Sequence, residues 1–502
     1  MNKNNMIYIV SFFSGFLSLA QEILWMRMIS FAGMSVPQTF SYTLALFLIG
    51  IAVGAHIGKN ICKKNINIPL PFLGKVLLIA SMVDVILLLG MIGLTKFLVP
   101  SIHILGICVI LCALVRGIVF PVVHHVGTSY IKTGSQISNV YFSNVIGSAL
   151  APLLISFIAL KFLNTQQVYL MVCLLTGLVG LLCIEHKKYK ILAMVYTCFL
   201  VVGIMQPDKI FYELSKNSYI ENLYPIQILE NQHGIIQIYY DHKDQVVFGG
   251  NVYDGKFNTD IFHNTNGIDR AYLLAALKPE AEQVLVIGLS TGSWAKVLSY
   301  LPNLKKMTIV EINPAYIEII RKNPMVQDLL KDDRIEIIID DGRKWLKNSK
   351  DKKFDIILMN TTWHWRAYGS SLLSRDFLEL IHTKMHLNSL FFYNTTQSID
   401  AYQTAYTVFP NVYKYKFMIL SSLKPVQLEE NTLAKNLCLL KDRVKQRQIF
   451  HSYVQCEQAV NIVTQQKLTR YQDLDLSEIT SRTPEVITDN NMIVEYKYGK
   501  GL

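Results

Sequence analysis

Chemistry is suggested first by the residues between Val284 and Glu311. An apolar run, Val284 to Ile287, breaks at Gly288 and turns through Leu289, Ser290, Thr291 and Gly292. A helix-like segment follows, then a second apolar run, Met307 to Val310, which ends on Glu311. Strand, tight glycine turn, helix and strand make the first half of a dinucleotide-type fold. Such a turn lets backbone N–H groups approach a ligand closely, and an acid about 20 residues on accepts bonds from ribose hydroxyls. Glu311 lies 23 positions after Gly288, so the spacing fits. The glycines are few, with Ser290 standing where a fuller motif has another. The pattern points to an adenosine-containing ligand.

The elements that must position these residues can be read outward from the turn. Strands are expected at 284–288, 307–311, 335–339, 354–359, 389–394 and 412–417. Helices are expected between them at 292–301, 314–322, 342–348, 372–386 and 399–408. This alternation implies an α/β domain with a mostly parallel sheet and helices on both faces, binding its ligand at the carboxyl ends of the strands. The strand ends carry Ser290 and Gly292, then Glu311 and Asn313, then Asp340 and Asp341, then Asn360 to Arg366, and finally Asn394 to Thr396. Each is also an ordinary cap or turn residue, but all converge on one crevice. The loop 360–371, NTTWHWRAYGSS, flanks His364 with Trp363 and Trp365. His364 titrates near neutrality and is a candidate general base, or else a satisfied structural histidine. Ahead of this domain, 226–258 alternates like a small antiparallel sheet. The expected organisation is a helical domain 1–206, a linker 207–222, a small β-domain 223–262, a Rossmann-like domain 263–425 and an extension 426–502. In that extension Asp489 and Glu495 read as ordinary exposed acids.

Composition says what the first 206 residues are. A hydrophobic fraction of 51%, a charged fraction of 17% and a mean hydropathy of +0.30 are too apolar for a wholly soluble chain of 502 residues. Spans are expected near 6–26, 38–58, 73–95, 99–121, 139–160, 167–184 and 190–206, the first six near the length that crosses hydrocarbon. The first is too long and too polar at its end for a cleaved signal peptide. The seventh has a shorter core and either crosses or lies at the interface. Lys59, Lys63 and Lys64, then Lys132, then Lys187, Lys188 and Lys190 follow the even-numbered spans, against little more than Lys96 and Lys161 in the others, which places the N-terminus in the cytoplasm. Six crossings leave the rest of the chain cytoplasmic and seven leave it outside. An adenosine-type cofactor, supplied in the cytoplasm, favours six. Glu22, Asp84 and Arg116 fall within spans, where charges mark either a transport path or a structural pair. Gly50, Gly54 and Gly58 repeat every four residues and permit close helix packing. The net charge of +11 fits loop lysines better than nucleic-acid binding, since no arginine-rich stripe with interleaved aromatics occurs. Eight cysteines without C-x-x-C, six of them in or beside apolar segments, argue against a disulfide framework or a metal site.

On these motifs the chain resembles the spermidine synthase (polyamine aminopropyltransferase) family. The matching stretches are VLVIGLSTGS, VEINP (310–314), DDGRKWL (340–346), FDIILMNTT (354–362) and LLSRDFLELI (372–381). FFSGFLSLAQEILWMRMISF (12–31) and SNVYFSNVIGSALAPLLISF (138–157) are similar to helices of bacterial membrane-fused members. The resemblance implies a Rossmann-like transferase fold and S-adenosylmethionine or decarboxylated S-adenosylmethionine as substrate, with Gly288, Ser290 and Gly292 at the ligand. It puts Glu311 on the ribose and Asp340 or Asp341 on the adenine. It also implies the bacterial inner membrane, with the bilayer and a small-molecule or membrane-embedded acceptor as partners, and leaves a homodimer open.

Two departures bear on the reaction. The family's Asp-Ser-x-Asp-Pro segment is here Asn360-Thr361-Thr362-Trp363-His364, so both acids that bind and deprotonate the attacking amine are replaced. The diamine-recognising Asp-Glu-x-x-Tyr-His-Glu stretch is not seen in 259–274 either. Asn360 and His364 are therefore the candidate catalytic residues, and transfer of an aminopropyl or a methyl group both stand. The rivals are a transport or export module with a ligand-sensing soluble half, and a binding domain without turnover.

Overall fold

The structure is a computed structural model that describes residues 3–64, 68–95, 97, 101–128, 134–184, 187–217, 224–360 and 363–502. Of the residues singled out above, Lys96, Lys132, Thr361 and Thr362 lie outside the described set. The chain divides into two compact units, Met1–Gln237 with Leu502, and Ile238–Gly501.

The first unit is helical. Helices run over Lys3–Ala32, Gln38–Lys64, Leu70–Thr95, Ile102–Gly127, Gly134–Leu154, Thr165–Leu182 and Lys187–Ile204, the fifth prolonged by a π-turn at Ile155–Ala159 and a last turn to Phe162. Six of these are long and apolar enough to cross a membrane. The helix Lys187–Ile204 is not among the six; its apolar part is Met194–Ile204. The glycine repeat does what its spacing predicts. Gly50 and Gly58 bring helix 38–64 against helix 102–127 so closely that a Cβ at Gly50 would lie 2.5 Å from Ile110 O, and one at Gly58 would lie 2.6 Å from Pro121 Cγ. Asp84 and Arg116 form a buried ion pair between their helices, with Cys112 Sγ 3.1 Å from the same carboxylate and Tyr169 donating to Asp84 O at 2.9 Å.

From residue 227 onward the apolar runs become strands. Four strands, β1 (Gln227–Asn231), β2 (Gly234–Asp241), β3 (Asp244–Gly249) and β4 (Tyr253–Lys256), occupy the stretch expected to form a small antiparallel sheet. The division between the units falls inside β2, and β3 pairs antiparallel with β4. The main sheet is built from β5 (Gln283–Ile287), β6 (Lys306–Glu311), β7 (Ile335–Ile339), β8 (Phe354–Met359), β9 (Met385–Asn394), β10 (Asn411–Tyr415) and β11 (Met418–Ser422). After a short β12–β13 hairpin (Lys441–Asp442, Arg447–Gln448), β14 (Thr469–Arg470) joins it at the edge. The order is β14-β10-β11-β9-β8-β5-β6-β7. Strands β5 to β9 are parallel, as the alternation predicts, while β11 pairs antiparallel with β9 and β10 with β11. The closing hairpin was not legible in the sequence. Its turn, Lys416 at φ +53°, carries no glycine to mark it.

Two expectations about the extension are corrected. Glu495 is not an exposed acid: it is buried, and its carboxylate accepts the N–H groups of Tyr368 at 3.0 Å and Ser370 at 2.9 Å. Asp489 is half-buried and holds Arg343 bidentately at 2.7 and 2.5 Å. Cys438 and Cys456 form a disulfide across two packed helices, Glu430–Cys438 and Tyr453–Thr464, a pairing between helices that a search for C-x-x-C does not find. Ile487 and Val494 are fully buried in the core of the α/β domain, so the extension is part of that domain's interior.

Candidate functional site

In the main sheet β6 and β7 follow β5 on one side, while β8 returns to the other. The order therefore reverses between β5 and β8, the place where such sheets leave a crevice. The chain turns there through Gly288 at φ +85°, Ser290 at +49° and Gly292 at +73°. Gly288 is required by space as well as by conformation, since a Cβ would stand 2.7 Å from the carbonyl oxygen of Asn360 at the end of β8. Ser290 holds a left-handed conformation that costs a non-glycine residue on the order of 1 kcal/mol, and its hydroxyl donates to Asp254 O at 2.8 Å.

A cavity of about 270 Å³ opens at this point. Its walls are the turn (Gly288, Leu289, Ser290, Thr291), the end of β8 (Leu358, Asn360), Trp363, Asn394 and Thr396. Tyr253, Asp254 and Gly255 of β4, Arg270, Trp294 and Phe417 complete them. Of the residues expected from sequence, Gly288, Ser290 and Asn360 line it together. Gly292 lies just behind, capping the helix Ser293–Leu298.

Glu311 stands behind the turn, not in the wall. Its Oε2 accepts Leu289 N–H at 2.7 Å and its Oε1 accepts Asn313 N–H at 2.8 Å, so the carboxylate sets the shape of the glycine turn. Burial pushes its pKa up to about 7 against the opposing pull of those N–H groups. Asp340 pairs with Lys344 at 3.0 Å, which holds its pKa below the usual carboxylate range, and Asp341 caps the helix Gly342–Asn348 through Lys344 N–H at 2.7 Å. Both are at the crevice's outer side and neither lines the cavity.

Asn360 accepts from Asn394 Nδ2 at 3.3 Å and presents the rest of its amide to the cavity wall. His364 is off the wall. Its Nδ1 lies 2.7 Å from Thr396 Oγ1, and Thr396 does line the cavity. Burial lowers the pKa of His364, which favours the neutral imidazole.

Sequence reading missed Asp254, Arg270, Trp294 and Phe417. Asp254 and Arg270 are the charged side chains among the described residues of the wall. Asp254 accepts Tyr316 O–H at 2.6 Å, and burial raises its pKa. A signal was present in the acid–glycine pair Asp254–Gly255, but it lay within the stretch read as a small antiparallel sheet.

Comparisons with known proteins bear on this geometry. Residues 271–423 match the spermine/spermidine synthase domain. A polyamine aminopropyltransferase of Thermococcus onnurineus is 29% identical over 157 residues, 29% of this chain and 54% of that protein. One of Streptococcus uberis is 36% identical over 88 residues, 17% of this chain and 30% of that protein. One of Oceanobacillus iheyensis is 18% identical over 386 residues, 74% of this chain and 73% of that protein. The chain thus spans about half the length of the first of these relatives and under a third of the second. Spermidine synthase from Thermotoga maritima superposes on 40% of this chain and 73% of its own at 20% identity, with a TM-score of 0.33. A spermidine synthase in complex with the transition-state analogue AdoDATO covers 42% of this chain and 84% of its own at 18% identity, with a TM-score of 0.35. Residues 271–423 thus match the spermine/spermidine synthase domain, and the sheet they build is Rossmann-like.

Proposed function

We propose that the second unit binds S-adenosylmethionine or its decarboxylated form in the cavity between β5 and β8 and transfers an aminopropyl or methyl group to an acceptor. The observation that carries this reading is the cavity's position at the sheet's switch point, against a turn shaped by the buried carboxylate of Glu311. In such a transfer the acceptor's lone pair forms a bond to the carbon beside sulfur as the sulfur–carbon bond breaks. The sulfonium becomes a neutral thioether, and the acceptor's proton leaves to a base. Positioning supplies most of the rate. Asn360 can orient an acceptor but cannot take its proton. Asp254, a half-buried carboxylate in the wall with a raised pKa, is suited to that task, with His364 behind Thr396 as a second route.

The reading places the helical unit in a bacterial cytoplasmic membrane. Six helices of sufficient length and exposed apolar side chains such as Leu48, Ile86 and Phe157 support that placement. The second unit then lies on the cytoplasmic side, where adenosyl substrates are made, and the acceptor is either a small molecule or a lipid-borne group. The rival reading of a transport module gains nothing from Asp84 and Arg116, which neutralise one another.

Calorimetry on the full chain in detergent tests the proposal. S-methyl-5′-thioadenosine and S-adenosylmethionine should bind, and Glu311→Ala should weaken both by at least about tenfold, the loss of charge-assisted bonds to ribose. If neither ligand binds intact protein, the reading is wrong.

A further inference from the structure

The cavity's wall carries one cation, Arg270, beside one carboxylate, Asp254, among its described residues. Arg270 lies in its wall, its guanidinium 5.5 Å from the ring of Trp294 and 5.8 Å from that of Phe417. Among the described residues this guanidinium has no hydrogen bond and no ion pair, and its Nε is a buried donor without an acceptor. The adjacent acid, Asp269, stabilises the guanidinium's charge but makes no hydrogen bond to it; its Oδ2 goes to Lys416 at 2.6 Å and Tyr415 at 2.8 Å. Asp254 is occupied by Tyr316. Leaving an arginine donor buried and unmet is costly, and a planar fork between two aromatic faces is pre-set for a bidentate oxyanion. A diamine carrying two ammonium groups would instead meet one engaged carboxylate and one bare cation.

We propose that Arg270 is a specificity-determining residue that receives a carboxylate of the bound substrate. The inference rests on the adenosyl reading and deepens it. That carboxylate comes either from the amino-acid end of S-adenosylmethionine, which the decarboxylated donor lacks, or from an acidic acceptor.

The test compares matched ligands on full-length protein in detergent, wild type against Arg270→Met and Arg270→Lys. The donor pair is S-adenosylmethionine and its decarboxylated form. The acceptor pair, with S-methyl-5′-thioadenosine saturating, is 4-aminobutyrate and putrescine, which share chain length and differ at one charged end. One pair should show a preference of about tenfold or more for the carboxylate member. Arg270→Met should erase that preference while thioadenosine affinity stays as it was. Arg270→Lys, which keeps the charge without the fork, should retain part of it and guards against a Met variant that does not fold. A preference in the donor pair assigns the carboxylate to the donor, and one in the acceptor pair assigns it to the acceptor. Thioadenosine binding with both ratios unchanged by either variant overturns this inference alone, as does an equal loss for every ligand, the mark of a merely structural stack. Failure of thioadenosine to bind wild type sinks the adenosyl reading and this inference with it.

Discussion

On the proposed adenosyl reading, Glu311 ties ligand binding to pH. Its carboxylate is buried, anchors Leu289 and Asn313, and has its pKa pushed up to about 7. In an unfolded chain it would titrate near 4.5. The folded state therefore holds the proton more tightly, so this residue's contribution to stability is full below pH 4.5 and is lost as pH rises through about 7. Glu311→Gln should remove on the order of 3 kcal/mol of that pH dependence, read from chemical denaturation at pH 4.5 and pH 8. Ribose binding runs the other way, since the ionised form is the better acceptor. Thioadenosine affinity should rise with pH through about 7 in wild type and stay level in the variant. A wild-type profile that is flat across this range would contradict the placement of Glu311 behind the turn.

At the level of elements, the loop after β8 depends on the far end of the chain. Trp363 and Thr396 line the cavity, and the loop that carries Trp363 is tied down at Tyr368 and Ser370 by Glu495. Two charge-assisted bonds in a buried place contribute about 3–6 kcal/mol against their loss. Glu495→Gln keeps one acceptor oxygen and should cost about half of that, seen as a lower melting temperature. Faster proteolysis should accompany it at Tyr368, which is 83% exposed. A variant with wild-type melting and wild-type protease resistance would remove Glu495 from this role. The sequence contained the loop and the acid but gave no sign that residues 127 positions apart meet. The same holds for Asp254 and Arg270, which lie in separate elements, β4 and the helix Asp269–Leu277.

For the whole molecule, the question is the side of the membrane. On the proposed reading, six crossings with lysine-rich loops after the even spans return the chain to the cytoplasm. The disulfide Cys438–Cys456 joins two helices of the second unit, and cytoplasmic thiols are kept reduced. The six-span reading therefore predicts that a C-terminal alkaline phosphatase fusion is inactive and a fluorescent-protein fusion bright. It also predicts that alkylation in intact cells traps both cysteines as free thiols, which close only on oxidation after lysis. An active phosphatase fusion with the cysteines already bonded in cells would mean that Lys187–Ile204 crosses as a seventh span, and would separate the site from the cytoplasmic pool of adenosyl substrates.

The sequence alone determined the parts whose signals are local. Hydrophobic runs of spanning length, the period of alternating strands and helices, and the spacing from Gly288 to Glu311 need only neighbours along the chain. Helix 342–348 and strands 335–339 and 354–359 were legible to the residue for that reason. What lines the cavity was decided by tertiary structure, because its wall gathers β4, the helix Asp269–Leu277, the turn after β5, the ends of β8 and β9 and the hairpin residue Phe417 from separate stretches. The groups that face a substrate depend on the partners those contacts have already given them. Tyr316 donates to Asp254, Lys416 pairs with Asp269, and Asp254 and Arg270 line the cavity.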